Sequence, residues 1–194
     1  MASISQVAST TTQSQKESLT IHLGTQNAEA DAAAVASTMQ AVAAIVEEAR
    51  MQLEQNQHVL IKARPFAKGS FEIPLDLILV GTASLYEIHP LLSNIMKVLR
   101  DYLEVRKLLK GQPLPQPEKD GTFILNGSNI TIQNSVINIV SNGRVTDAVA
   151  RAADDLLKDE SIKDVKFYQG NESTPLAVVQ SSEFRFNALF GVWG

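Results

Sequence analysis

Between Ser84 and Lys110 apolar side chains recur so densely that a helix formed there must be covered on more than one side. Read in sevens, Leu85, Leu92 and Leu99 share one seam position, and Ile88, Ile95, Tyr102 and Leu109 share the other. Only Arg106 breaks that seam. Leu91, Met96, Val98, Leu103, Val105 and Leu108 widen the face beyond a two-position stripe, and Pro90 falls early enough to delay or kink the helix. Glu87, Lys97, Arg100, Asp101, Glu104, Arg106 and Lys107 interrupt the run, so it cannot cross a bilayer as a lone helix. The basic residues Lys97, Arg100, Arg106, Lys107 and Lys110, interleaved with Asp101 and Glu104, fit a solvated helix face with Arg100 and Glu104 one turn apart. A face this broad is filled either by the chain's own core or by a second copy of the chain. Leu85, Ile88, Leu92, Ile95, Leu99 and Tyr102 are therefore candidate interface residues of a homo-oligomer.

A second long helix is expected from Asn27 to Gln55, a stretch free of glycine and proline and rich in alanine. Asn27 would cap it, Glu29 and Asp31 would suit its positive end, and Val35, Met39, Val42, Ile45, Val46, Ala49 and Leu53 form its apolar stripe. Leu19, Ile21 and Leu23 alternate ahead of it as a first strand. Residues 58–80 form a hairpin, with Val59, Ile61 and Ala63 on one face of the first arm and Ile73, Leu75 and Leu77 on one face of the second. A three-residue loop at Ala67, Lys68 and Gly69 would set Arg64 opposite Glu72. Pro74 has no N–H to donate and predicts a sheet edge or a bulge. The polar face of this hairpin carries the candidate ligand-binding residues Lys62, Arg64, Lys68, Glu72 and Asp76. Cross-strand ion pairing explains the same residues more simply than a carboxylate pair working as acid and base or holding a divalent cation.

The proline-rich connector at 111–121 ends the helix and separates an N-terminal βαββα unit, 18–110, from a C-terminal segment, 122–194. Residues 1–17, rich in Ser, Thr and Gln, have too little to bury and are expected to form a tail. From Thr122 to Val140 the chain is β-prone and rich in asparagine. Ile130 and Ile132 differ in parity from Ile137 and Ile139, which predicts a turn or bulge at Asn134-Ser135. The cluster at Asn126-Gly127 reads as a turn, and so does Asn142-Gly143. Neutral amides can stack in ladders between like chains, so Asn129, Asn134 and Asn138 join the candidate oligomer interface. A shorter helix follows from Val145 to Lys158 with Thr146 as its expected cap, then two short strands at 165–168 and 176–179. The aromatic end, Phe184 to Trp193, is expected to dock on a surface or to precede a further domain. The whole is an α+β fold, a small mixed or antiparallel sheet with two long helices and one shorter one, the two segments packed as one domain.

Composition narrows the chemistry. The 194 residues include no cysteine, which removes disulfides, thiol nucleophiles and cysteine-bound metal clusters and makes the cytoplasm the expected compartment. Seventeen basic against twenty-one acidic residues, net −4, give no footprint for nucleic acid. The first residues lack the basic and apolar regions of a secretory signal. His22, His58 and His89 have no partner at metal-ligand spacing, and no GxSxG, phosphate loop or GxGxxG occurs. No catalytic residue, metal or cofactor is assigned.

The order of elements, and above all Gly69-Ser70-Phe71-Glu72-Ile73 followed by Leu75-Asp76-Leu77, resembles an uncharacterised bacterial and phage family that carries a G-S-F-E-I-x-L-D-L hairpin. The likeness extends over residues 18–180, through Leu108 to Gly111 and the Asn-rich segment. It implies the order of the fold and a bacterial or phage setting, and it carries no catalytic residues. The expected function is a non-enzymatic binding or scaffold protein acting as a homo-oligomer, with a partner protein or a small anionic ligand such as a nucleotide signal in a phage–bacterium conflict. The alternative is an enzyme or divalent-metal protein using Glu72 and Asp76.

Overall fold

The computed structural model describes residues 16–26, 29–53, 57–65, 71–80, 85–120 and 122–188, of which 85–90 and 186–188 are described by their backbone only. The tail up to Gln15, the expected cap Asn27, the hairpin loop with Lys68 and Gly69, and the aromatic end from Leu189 lie outside the described residues.

The strands are β1 (Lys16–Thr25), β2 (His58–Ala63), β3 (Glu72–Val80), β4 (Phe123–Leu125), β5 (Ser128–Ile130), β6 (Ile162–Gln169) and β7 (Ala177–Gln180). The helices are α1 (Ala32–Leu53), α2 (Leu85–Leu109), α3 (Asn134–Val140), α4 (Gly143–Lys158) and α5 (Ser181–Ala188). Five strands make one antiparallel sheet in the order β2-β3-β1-β6-β7, and β4 and β5 make a separate small hairpin. The fold is α+β. Because β1 from the start of the chain pairs with β6 from its second half, the two segments on either side of the connector complete one sheet.

Alternation puts Leu19, Ile21 and Leu23 of β1, Ile73, Leu75 and Leu77 of β3, and Val165 and Phe167 of β6 on the covered face. Against them lie α1 through Val42, Ile45 and Ala49, and α2 through Leu92, Ile95, Met96, Leu99 and Tyr102. These belong to one continuous core with Phe123, Val136, Ile139, Leu156 and Phe184. Burying a large aliphatic side chain contributes about 1.5–3 kcal/mol, so this cluster is the main source of stability.

Local signals explain most boundaries. Asp31 replaces the expected Asn27 at the start of α1, its Oδ1 accepting from the Ala33 amide at 2.6 Å. Lys110 (φ 48°) and Gly111 (φ 81°) turn left-handed after α2, and the Gln112 amide donates to Leu109 O at 2.9 Å. Asn126 (φ 51°) and Gly127 (φ 78°) make the two-residue turn between β4 and β5. Lys16 and Glu17, read as tail, belong to β1.

Three expectations need correction. The Asn-rich segment is not β throughout, because residues 134–140 form α3. Val136, Ile139 and Val140 are buried at helical spacing there, so the parity change at Asn134 marks a change of period and not a bulge. Asn142-Gly143 is not a turn. Asn142 caps α4, its Oδ1 accepting from the Val145 amide at 3.2 Å, and Thr146 is inside the helix. Pro74 is not on an edge strand, since β3 lies between β2 and β1. Pro74 O accepts from the Arg64 amide at 2.8 Å, but Pro74 has no N–H to return that bond, and the β2 ladder ends there at Ala63.

Candidate functional site

The hairpin face comes first, because it holds the residues singled out by sequence. Lys62 stands opposite Asp76, and Arg64 lies beside Pro74 rather than opposite Glu72, a register shifted by two residues from the expected one. Asp76 is buried on the face of the sheet away from the helices, where Lys16 Nζ approaches it at 2.7 Å and Arg64 Nε at 3.2 Å. Ser18 Oγ donates to the same carboxylate at 3.3 Å. The Lys16 hydrogen bond, together with the Arg64 charge and the Ser18 hydroxyl, outweighs the cost of burial and holds the Asp76 carboxyl below its ordinary value. Glu72 is exposed and stands opposite His22. Four residues of extended chain separate Glu72 from Asp76 by about 13 Å, too far for one cation or one acid–base pair. Asp76 is thus the centre of an ion-pair cluster, Lys62 and Arg64 are exposed beside it, and Lys68 lies outside the described residues.

The residues read as an oligomer seam are placed differently. Leu92, Ile95, Leu99 and Tyr102 are buried in the chain's own core, at 2 % exposure or less, so that face of α2 is covered within one chain. The side chains of Leu85 and Ile88 lie outside the described residues. Asn129 sits in the β4–β5 hairpin, exposed. Asn134 and Asn138 are on α3 and cannot form a β ladder. Asn138 Nδ2 instead donates to Gln52 Oε1 at 2.7 Å, Gln52 donates to Glu48 at 2.8 Å, and Asn142 Nδ2 donates to Glu48 Oε2 at 2.8 Å. The amides tie α3 and the start of α4 to α1.

A second place was not found by sequence. Where α1, α2 and α4 meet the covered face of β6 and β7, a partly open pocket of about 80 Å³ remains, bordered by α5. Its space comes from a shortage of side chain: Ala41 of α1 and Ala152 and Ala153 of α4 all line it. Val42, Ile45, Val149, Leu156, Val165 and Phe167 complete apolar walls, and Phe184 of α5, 2 % exposed, adds to them. Glu183 ties α5 down by accepting from the Gln180 amide at 2.7 Å and approaching Lys107 Nζ of α2 at 3.6 Å.

Besides Lys107 and Glu183, three polar residues line it. Tyr102 is fully buried, and its hydroxyl has no hydrogen-bond partner among the described residues. The same holds for Thr38 Oγ1, at 4 % residue exposure. The neighbouring Ser37 shows the ordinary alternative, its hydroxyl donating back along α1 to Ala33 O at 2.8 Å. Arg106, one turn beyond Tyr102, is only 3 % exposed, and its guanidinium lies 5.9 Å from the Tyr102 ring centroid. It therefore belongs to the core and not to the solvated face expected from sequence. Burial pushes the Tyr102 phenol up and the Arg106 guanidinium down from their ordinary values. Tyr102 so remains a protonated donor, and arginine stays cationic even when buried. The one sign of this site in the sequence was the break that Arg106 makes in the apolar seam.

Among the described residues no group of three or more His, Asp or Glu side chains is placed to hold a metal ion, and no helix is long and apolar enough to cross a membrane. Compared with protein-family models, curated proteins and solved structures, the chain finds no match in any of the three.

Proposed function

We propose that this chain is a binding protein, acting without covalent chemistry, that takes a small and mainly apolar molecule into the cavity between its helix layer and its sheet. The observation that carries this reading is a mainly apolar pocket whose lining residues include Tyr102 and Thr38, two buried hydroxyls without partners among the described residues. An unsatisfied buried hydroxyl costs about 1–3 kcal/mol, so a chain that keeps two of them around one cavity gains by what they meet there. Apolar walls with a few polar side chains among them are the composition of small-molecule sites. The test is a thermal-shift and calorimetric titration of 1-butanol on the native chain and on Ala153→Leu, which fills the space. Binding to the native chain that is lost in the filled variant supports the reading, and no binding to either protein removes it.

A second reading keeps the homo-oligomer and moves it off α2. Leu60 of β2, 47 % exposed, and Val80 of β3, 42 % exposed, lie on neighbouring strands at the free edge of the sheet and on its helix-free face. Apolar groups on an edge strand are a template for pairing with a second chain. Light scattering on the native chain and on Leu60→Lys decides it: a dimer that the substitution dissociates supports this reading, and a native chain that stays monomeric at the highest concentration it tolerates ends it. The bacterial or phage setting implied by the hairpin motif fits either reading and assigns no residue to it.

A further inference from the structure

We infer that the free edge of the sheet, at β2, takes an extended acidic segment of a partner protein as a sixth strand. This goes beyond the pocket, and it gives the edge considered above for a second copy a different occupant.

The register of β2 on β3 decides which backbone groups that edge offers. The Arg64 amide donates to Pro74 O at 2.8 Å, and Lys62, Leu60 and His58 stand opposite Asp76, Ile78 and Val80. In an antiparallel pair successive residues turn their N–H and C=O to opposite sides. Those of Arg64, Lys62, Leu60 and His58 therefore point at β3, and those of Val59, Ile61 and Ala63 point outward. The outward series stops at both ends. Gln57 O, next in line, accepts from Arg50 Nη1 at 2.6 Å, and Pro65 has no N–H. Between these stops the outward N–H and C=O groups of Val59, Ile61 and Ala63 have no hydrogen-bond partner among the described residues. The other edge strand, β7, has only four residues, and its Gln180 amide already donates to Glu183 at 2.7 Å.

Charge selects the occupant. Lys62 is exposed on the helix-free face and stands opposite Asp76. That carboxylate is already met by Lys16 at 2.7 Å and by Arg64 at 3.2 Å. Lys62 itself has no ion pair or hydrogen bond among the described residues, so three cations surround one buried carboxylate. An acidic side chain on a strand laid beside β2 would stand directly opposite Lys62, the cross-strand position at which unlike charges attract. Leu60, 47 % exposed on the same face, calls for an apolar side chain two positions along.

A second copy does not meet these demands. Two β2 strands paired about Ile61, the two-fold register that engages every outward residue of both, bring Arg64 opposite His58 of the partner subunit and no carboxylate to Lys62. Lysine on an edge is an ordinary device for turning like edges away, and the same charge admits a strand with carboxylates there. The chain's own first residues do not qualify either, since 1–15 contain no Asp or Glu. Main-chain bonds would hold the acidic segment and alternate side chains would select it, as in other cases of strand addition.

The experiment titrates the acetylated and amidated peptide Glu-Val-Glu-Val-Leu-Thr-Ser into the full chain at pH 7 with NMR detection. Laid antiparallel, it sets its two Glu opposite Arg64 and Lys62 and its Leu opposite Leu60. The expected result is binding with Kd on the order of 0.1–1 mM, the scale for a short strand that is ordered only on binding, with the largest shifts at the Val59, Ile61 and Ala63 amides. Gln in place of both Glu should weaken it about fivefold or more, and Lys62→Glu about tenfold. Ala63→Pro removes one outward N–H at an exposed position and should weaken it as much as Lys62→Glu. No binding up to the solubility of the peptide overturns the proposal. So does a Gln peptide that binds as tightly, or an acidic peptide that binds Lys62→Glu as well as it binds the native chain. A native dimer that Leu60→Lys dissociates, with no peptide bound, gives the edge to a second copy and overturns it as well. None of these outcomes touches the pocket, which lies on the other face of the sheet.

Discussion

Asn142 holds two helices at once: its Oδ1 accepts from the Val145 amide at 3.2 Å, and its Nδ2 donates to Glu48 Oε2 at 2.8 Å. The first bond caps α4 and the second fixes that cap to a buried carboxylate on α1, so the cap also sets how α4 lies on α1 and hence the shape of the cavity between them. Asn142→Ala removes a cap worth about 1 kcal/mol and leaves Glu48 short of a donor, which costs a further 1–3 kcal/mol. Urea unfolding should show a loss of about 2–4 kcal/mol. Asn142→Ser, which keeps a cap and loses the Glu48 bond, should fall between this variant and the native chain. Equal stability of Ser and Ala variants would mean that the Glu48 bond alone matters.

The Asp76 cluster predicts a pH dependence with a definite sign. Its carboxyl is held below the ordinary value of 3.8 by Lys16 first, and by Arg64 and Ser18. A carboxyl whose value is lowered by folding adds stability that is complete above the unfolded value and is lost as the pH falls toward the folded one. Lys16 and Arg64 are half-exposed, so screening leaves a contribution of only about 1 kcal/mol at pH 7. Asp76→Asn should lower stability by that amount at pH 7, and the gap to the native chain should close as acid is added below about pH 4. A gap that stays constant down to pH 2 would locate the effect in packing and not in charge.

The elements that sequence made legible are those with one unbroken period. Leu19-Ile21-Leu23 and Ile73-Leu75-Leu77 alternate, and the stripe from Val42 to Ala49 steps by three and four, so their covered faces follow directly. Residues 134–140 misled because Val136, Ile137, Ile139 and Val140 are β-branched, a composition that favours strands, whereas the burial of Val136, Ile139 and Val140 against the core imposes a helix. The hairpin register was missed by two residues because it depends on the loop between β2 and β3. The cavity was not legible because its walls come from α1, α2, α4, α5, β6 and β7, distant in sequence. Only Arg106, an arginine at a position where the seam calls for an apolar side chain, betrayed it.

The same geometry changes what a charge on α2 would do. Leu99 has no exposure, and its neighbours in the core are the chain's own. Leu99→Ala should cost about 3 kcal/mol, and Leu99→Glu more than about 4 kcal/mol because the carboxylate has no partner in that place. Circular dichroism of Leu99→Glu should show an unfolded or partly folded chain. A folded monomer derived from a native oligomer would instead restore the interchain seam on α2.

The most discriminating measurement of stability concerns the two hydroxyls in the absence of any added ligand. In a core built only for stability, a buried tyrosine or threonine hydroxyl has a partner, and its removal costs 1–2 kcal/mol. Tyr102 and Thr38 have none among the described residues, so deleting either hydroxyl takes away a desolvated group and no bond. Tyr102→Phe and Thr38→Val should therefore unfold in urea at the native midpoint or above it, with gains of up to about 1 kcal/mol each. Ser37→Ala, next to Thr38 but with its hydroxyl bonded to Ala33 O, serves as the control in which no such gain is expected. A loss of 2 kcal/mol or more in Tyr102→Phe would show that the fold itself uses that hydroxyl. Higher stability in either variant would show that the chain gives up stability at Tyr102 and Thr38, the trade expected where a buried polar group serves something other than the fold.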